Sequence, residues 1–142
     1  MDINKLLLKS LENENNEYLL ELTTKKIRDM NKKVLDELEL TKKETLDYLS
    51  KLKEYRYIDE VSELKYGSYL RWISLTDPDD LDLKKGAIFC DVKVNDDGLF
   101  IICKNYGYSK KHFQLKFDEH MIFQKLSEQE LILLNALDQL SK

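Results

Sequence analysis

Hydrophobic side chains recur at helical intervals through the first part of the chain. Steps of three, four and seven residues join the members of one stripe, which places them on a single helix face. The stripe consists of Leu20, Ile27, Met30, Val34 and Leu38. No glycine or proline interrupts residues 2–56. The pattern predicts an N-terminal helical hairpin or arm over residues 1–56, whose apolar stripe packs against another helix or a second chain.

Polar residues mark where helices begin and break. The run of Asn and Glu at residues 13–16 predicts a break after a short first helix or a frayed end, and both alternatives stay open. Thr41 with Glu44, and later Ser127 with Glu130, are capping-box pairs that satisfy free backbone donors reciprocally. A helix is therefore expected to begin at each pair. The expected apolar faces are Leu46, Leu49, Leu52 and Tyr55 for the first, and Leu133, Ala136, Leu137 and Leu140 for the last.

After residue 57 the pattern changes to the alternation of β-strands. The predicted strands span residues 69–75, 87–94, 99–104 and 113–117, with a short apolar piece at 121–123. In the second strand, Ile88, Cys90, Val92 and Val94 are expected on one face. Residues 95–98 read Asn-Asp-Asp-Gly, a tight turn because Asn and Asp tolerate the required dihedral angles and Gly accepts positive φ.

The order of these elements predicts an α+β protein. Five short strands with a long first connection and a tight hairpin turn resemble the small SH3-like or Tudor-like barrel, whose closure removes exposed edges. The expected division is a helical arm at 1–56, a five-stranded antiparallel barrel at 57–126, and a C-terminal helix at 127–142 packed on the barrel. An open, twisted sheet packed by helices is the alternative.

Three strings of residues in the C-terminal half resemble a known group of proteins. They run from Lys65 to Ile73, from Cys103 to Asn105, and from Ile122 to Leu126. Through these strings, residues 64–137 resemble small uncharacterised proteins encoded by giant DNA viruses. The resemblance implies a viral setting and brings no activity, cofactor or catalytic residue with it.

Composition and charge narrow the class of protein. The chain has 142 residues, of which 42% are hydrophobic and 35% charged, with a formal charge of −4. A net acidic chain does not coat nucleic acid as a histone does, since that affinity depends on many neutralised phosphates. No stretch approaches the roughly 18 apolar residues that span a bilayer. We expect no membrane partner and a cytoplasmic or nuclear location, with a virion component if the viral resemblance holds.

One basic and aromatic segment stands out at residues 104–116. Lysines neutralise phosphates and tyrosine rings stack on unpaired bases, so this segment is a candidate site for single-stranded RNA or DNA. The candidate residues are Lys104, Tyr106, Tyr108, Lys110, Lys111 and Lys116. The alternative is a solvated loop in which only Phe113 reaches the core.

The first strand carries a second candidate surface. Tyr66, Tyr69 and Arg71 provide ring faces and a cation of the kind that line peptide grooves and methyl-cation cages. Alternation places Tyr69 and Arg71 on one face and Leu70 and Trp72 on the other. Trp72 is then expected as a core anchor.

The two cysteines, Cys90 and Cys103, are too few for a secreted disulfide framework. A two-residue turn at Asp96 and Asp97 would place them opposite each other, whereas a bulge at Gly98 instead would shift the pairing by one residue and separate them. In both cases we expect buried, unreactive thiols.

Catalytic and metal-binding patterns are weak. Four aspartates between residues 77 and 82 lack the Gly and Glu of an EF-hand and are interpreted as a turn. Cys103 together with His112 or His120 is the one pair of side chains that could bring a nucleophile and a base together in the fold. We therefore predict no metal, no cofactor and no enzymatic activity.

These observations predict a non-enzymatic adaptor or structural component. The helical arm would bind a protein partner or self-associate through its apolar stripe, and the barrel would supply a second contact surface. Binding of single-stranded RNA or DNA through residues 104–116 is the alternative function.

Overall fold

The computed structural model describes residues 23–105 and 111–140. This part is an α+β structure with three helices and one six-stranded antiparallel sheet. It divides into two compact units. The helical unit contains the described residues up to Glu54 and from Leu126 onward, and the sheet unit spans Tyr55–Lys125. The boundary predicted after residue 56 therefore falls inside a strand.

Helix α1 spans Thr24–Asp36 and begins at Thr23, whose side chain accepts a hydrogen bond from the Lys26 backbone at 3.2 Å. Its buried face is Ile27, Asn31 and Leu35. Of the predicted stripe, Ile27 lies on this face, because the helix buries the i, i+4, i+8 row, which includes a polar residue. Met30, Val34 and Leu38 are half-buried. Leu20 and the polar run at 13–16 lie outside the described residues.

Helix α2 spans Lys42–Lys51 and has the predicted capping box. Glu44 N donates to Thr41 Oγ1 at 3.1 Å, and Thr41 N donates to Glu44 Oε1 at 3.2 Å. Leu49 and Leu52 are buried as expected, but Leu46 is 51% exposed. The helix does not reach Tyr55, since the chain turns after Lys51 into a strand.

Helix α3 spans Glu128–Leu140 and is preceded by the second predicted capping box. Ser127 N donates to the side chain of Glu130 at 3.0 Å, and Glu130 N donates to Ser127 Oγ at 3.1 Å. Leu133 and Leu134 pack with Ile27 and Leu126 in the core of the helical unit. Leu140, predicted on this face, is 82% exposed.

A hydrogen-bonded contact joins the ends of α1 and α3. The backbone N and the Oγ1 of Thr24 donate to the two carboxylate oxygens of Asp138, at 3.0 and 2.6 Å. An acidic side chain at the N-terminus of α1 also interacts favourably with the helix dipole.

The sheet unit contains six strands. They are β1 (Tyr55–Tyr57), β2 (Tyr69–Ser74), β3 (Lys84–Asn95), β4 (Gly98–Asn105), β5 (His112–Lys116) and β6 (His120–Lys125). Their order across the sheet is β1-β6-β2-β3-β4-β5. A short 3₁₀ turn at Phe117–Glu119 connects β5 to β6.

The five strands predicted from the sequence are present, but the sheet has a sixth and is not closed into a barrel. Within the described residues, no pairing joins β1 to β5. The extra strand was missed because residues 52–57 contain no glycine or proline, so nothing in the pattern separated them from the preceding helix. An open sheet is the alternative to the barrel that the sequence pattern allowed.

The β3-β4 hairpin has the predicted two-residue turn, with Asn95 opposite Gly98. A bulge then follows at Cys90, because Phe89 pairs with Cys103 and Asp91 pairs with Ile102. The extra residue reverses the alternation of the strand. The predicted apolar face is therefore wrong for Ile88, which lies between the buried residues Ala87 and Phe89.

On one face of β2 and β6, Ile73, Met121 and Phe123 are buried. A further buried cluster of the sheet unit lies on the other face of the sheet, which we call the inner face. Its buried members are Ile58, Leu64, Leu70, Ala87, Phe89, Ile101, Cys103, Leu115 and Ile122. Trp72 is half-buried against this core and meets the ring of Phe113 at 5.7 Å between centroids. Both rings are therefore core anchors at its edge.

A buried amide fastens the connection between β1 and β2 to the sheet. Gln124 is 1% exposed, and its Oε1 accepts from Lys65 N at 2.8 Å while its Nε2 donates to Glu63 O at 3.1 Å. Beside it in the register, Arg56 is 4% exposed and forms an ion pair with Glu63. Both side chains thus hold the same segment.

Replacing Gln124 with Leu should destabilise the protein by about 1–3 kcal/mol, because two backbone groups lose their partner in a largely dry environment. The free energy of unfolding is measured by urea denaturation followed by circular dichroism. The matched control is Gln114→Leu, since Gln114 is exposed on β5 and should tolerate the change. Equal stability of Q124L and wild type would contradict the structural role of the amide.

Candidate functional site

The aromatic surface predicted on the first strand is divided between two places. Tyr66 is 72% exposed, and its ring stacks on Phe89 at 5.2 Å between centroids and 21° between planes. The chain turns at Gly67, where φ is +84°, and Gly67 N donates to Phe89 O at 2.8 Å. Because Phe89 belongs to the inner-face core, Tyr66 covers one end of that core.

Tyr69 and Arg71 lie on the opposite face, which we call the outer face. Their neighbours Leu70 and Trp72 contact the inner-face core, as the alternation predicted. The Nζ of Lys125 lies 5.9 Å from the centre of the Tyr69 ring, within reach of a cation–π interaction. The three predicted groove residues therefore do not share one face: Tyr69 and Arg71 are together and Tyr66 is apart.

The basic and aromatic segment extends over two strands and their connection. Lys104 is half-buried in β4 opposite His112 of β5. Lys111 is exposed, and Lys116 ends β5 with its Nζ 3.7 Å from Glu119 Oε1. Tyr106, Tyr108 and Lys110 lie outside the described residues. Binding of a single strand through this segment stays a prediction.

The helical unit contains a groove between α1 and α2. Its volume is about 260 Å³. It is lined by Thr24, Ile27, Arg28, Asn31, Leu49, Ser50, Leu52 and Lys53. Of the predicted arm residues that the structure describes, Ile27 alone lines it. Sequence reasoning missed the groove because its walls come from two helices and only the packing brings them together.

The cysteine side chains differ in accessibility. Cys103 is fully buried, whereas Cys90, the bulge residue, is half-buried with its Sγ 3.5 Å from Ile88 O. Burial, and then the nearby Cys90, raise the pKa of Cys103 from 9.0 to about 12. A thiol with this pKa is almost entirely protonated at neutral pH and is a poor nucleophile.

The acidic residues between β2 and β3 form a turn. Asp79 N donates to Asp77 Oδ1 at 3.0 Å, Asp80 N donates to Asp77 O at 3.1 Å, and Asp80 lies 3.5 Å from Lys84. Among the described residues, no three His, Cys, Asp or Glu side chains cluster in a way that could hold a metal ion. None of the three described helices has the length and apolarity needed to cross a bilayer.

The cysteines give a test of the bulge and of the core. In native protein at pH 8, a thiol reagent should modify Cys90 and leave Cys103 untouched until the chain unfolds, because Cys103 is buried and its pKa is about 12. Counting labelled thiols by mass spectrometry in wild type, Cys90→Ser and Cys103→Ser measures this. Rapid labelling of Cys103 in the folded C90S variant would contradict the assignment.

Comparison of the chain with protein-family models, with curated proteins and with solved structures finds no match in any of the three.

Proposed function

We propose that the chain is a non-enzymatic adaptor that binds a partner protein through its helical unit and uses the sheet unit as a second contact surface. The observation that supports this most directly is the groove between α1 and α2. An apolar groove between two helices is a common way to bind an amphipathic helix, whose side chains at i, i+3, i+4 and i+7 enter it.

The size and lining of the groove favour a protein segment. Its volume of about 260 Å³ is below the roughly 300–1,000 Å³ of small-molecule pockets. Ile27, Leu49 and Leu52 provide apolar contact, while Thr24, Asn31 and Ser50 add polar groups. This space suits one or two anchoring side chains of a partner better than an enclosed ligand.

The charge of the groove favours an acidic partner. Arg28 and Lys53 line the groove, and none of its eight lining residues is acidic; the Asp138 carboxylate near it already accepts two hydrogen bonds from Thr24. Both cations belong to exposed residues. An acidic amphipathic helix therefore complements the groove, since its leucines would fill the apolar part and its glutamates would meet the two cations.

For the sheet unit, we propose an SH3-like arrangement of β2 to β6 to which β1 adds an edge strand. The long connection from Leu75 to Leu83, the two-residue hairpin turn and the short turn before β6 support this interpretation. A viral setting is likewise a proposal, supported by the residue resemblance alone.

The test uses charge reversal at the groove. A labelled helical peptide with leucines at i, i+3, i+4 and i+7 and glutamates elsewhere should bind wild-type protein. Arg28→Glu with Lys53→Glu should weaken binding about tenfold or more, since two rim attractions become repulsions. Fluorescence anisotropy measures the affinity.

The matched control is Lys25→Glu with Lys33→Glu, which reverses two exposed charges on the same helix outside the groove. This variant should bind the peptide as wild type does. Absence of peptide binding, or an equal loss in both double variants, would refute the groove as the binding site. A wild-type dimer in sedimentation that R28E/K53E abolishes would assign the groove to a second copy of the chain instead.

A further inference from the structure

Strands and turns of the sheet unit carry opposite charge. The six strands contain eight Lys or Arg residues and one acid, Asp91. The connections hold the remaining acids, above all at residues 59–63, 77–82, 96–97 and 118–119. The net charge of −4 therefore hides a basic sheet bordered by acidic turns.

The register gathers part of this charge into one row. Tyr69 pairs with Ile88, Ile88 with Lys104, and Lys104 with His112. On the other side, Tyr69 precedes Leu70, which pairs with Gln124, so Lys125 is its neighbour on β6. Directly paired residues of an antiparallel sheet point to the same face. The row Lys125–Tyr69–Ile88–Lys104–His112 therefore crosses five strands on one face.

This face is the outer one. Leu70, Ala87 and Cys103, which flank the row along their strands, are buried in the inner-face core. Members of the row are more accessible: Tyr69 is 40% exposed, Lys125 and His112 are exposed, and Ile88 and Lys104 are half-buried. The row therefore presents Tyr69, Lys125 and His112 to solvent, beside a patch of the same face where Ile73, Met121 and Phe123 are buried.

The row places one tyrosine ring and the aliphatic Ile88 between two lysines, one residue on each strand. Neighbouring strands are about 4.8 Å apart, so Lys125 and Lys104 lie about 14 Å apart along the sheet surface, with the Tyr69 ring between them. Two cations with a ring between them suit a polymer that carries both phosphates and flat bases. A duplex would not use the ring, since its bases are already stacked on one another. A single strand offers both groups.

We propose that the outer face of the sheet, along the row Lys125–Tyr69–Ile88–Lys104–His112, binds single-stranded nucleic acid. Lys125 and Lys104 contact phosphates, and the Tyr69 ring stacks on a base between them. This site shares only Lys104 with the lysines and tyrosines predicted from segment 104–116, and it uses none of the groove residues of the helical unit.

The probe is a labelled oligothymidylate of about 12 nucleotides, within the site sizes of small single-strand binding modules. Anisotropy titrations at several salt concentrations should give a binding constant that falls as salt rises. Lys104→Glu with Lys125→Glu should weaken binding at least tenfold. It should also reduce the slope of log K against log salt by about 1.4, since each lost phosphate contact removes about 0.7.

The ring is tested separately. Tyr69→Ala should lower affinity about tenfold with an unchanged salt slope, because stacking releases no counterions, and Tyr69→Trp should restore binding. Tyr66→Ala and the double variant Lys25→Glu with Lys33→Glu are the matched controls, since these side chains are exposed and lie outside the outer face of the sheet. Circular dichroism melting of each variant verifies that it is folded.

Several results would overturn the proposal. These are no binding at low salt, binding that K104E/K125E and Y69A leave unchanged, and an equal loss in K25E/K33E. Equal affinity for polyglutamate would also overturn it, since that ligand has charge but no bases. Oligonucleotide binding should survive R28E/K53E, so failure of this site and failure of the adaptor groove are distinguished in the same set of variants.

Discussion

The sheet unit depends on a buried amide that has no apolar substitute. Gln124 on β6 binds the backbone on both sides of Leu64, and Arg56 on β1 holds the Glu63 side chain from the neighbouring position. A buried polar group is costly unless it is bonded, so these contacts fix the path of residues 63–65 to one conformation. The turn at Gly67 and the first residues of β2 come immediately after this segment in the chain. The position of Tyr69 on the outer face is therefore set by a contact made on the inner one.

The separation of charge between strands and turns is compatible with both proposed interactions. Acidic turns keep the net charge negative and limit unspecific attraction to polyanions. The basic residues lie on the strands, where strand pairing places several of them side by side. On the helical unit, Arg28 and Lys53 favour an acidic protein partner, whereas on the sheet unit two lysines flank a tyrosine ring. The two proposals therefore assign a protein partner and a single strand to two different surfaces of the chain.

Local chemistry in the sequence was enough to predict the capping boxes at Thr41 and Ser127 and the two-residue turn at Asp96 and Asp97, because each depends on residues close in the chain. The buried face of α1 was not predictable, since it includes Asn31 and polar residues are counted as exposed. The bulge at Cys90 was not predictable either, because residues 87–90 are all apolar and their pattern does not show which of them faces the core. The outer-face row needed the register of five strands, which no local pattern contains.

The most direct test of the outer face as a binding surface is amide chemical-shift mapping of isotope-labelled protein during titration with oligothymidylate. Binding at the proposed site perturbs amides along a line across the sheet, at Lys125, Tyr69, Ile88, Lys104 and His112. The groove residues of the helical unit, Arg28 and Lys53, should stay unchanged. Perturbation confined to residues 111–116, or centred on the helices, would contradict the placement of the site on the sheet.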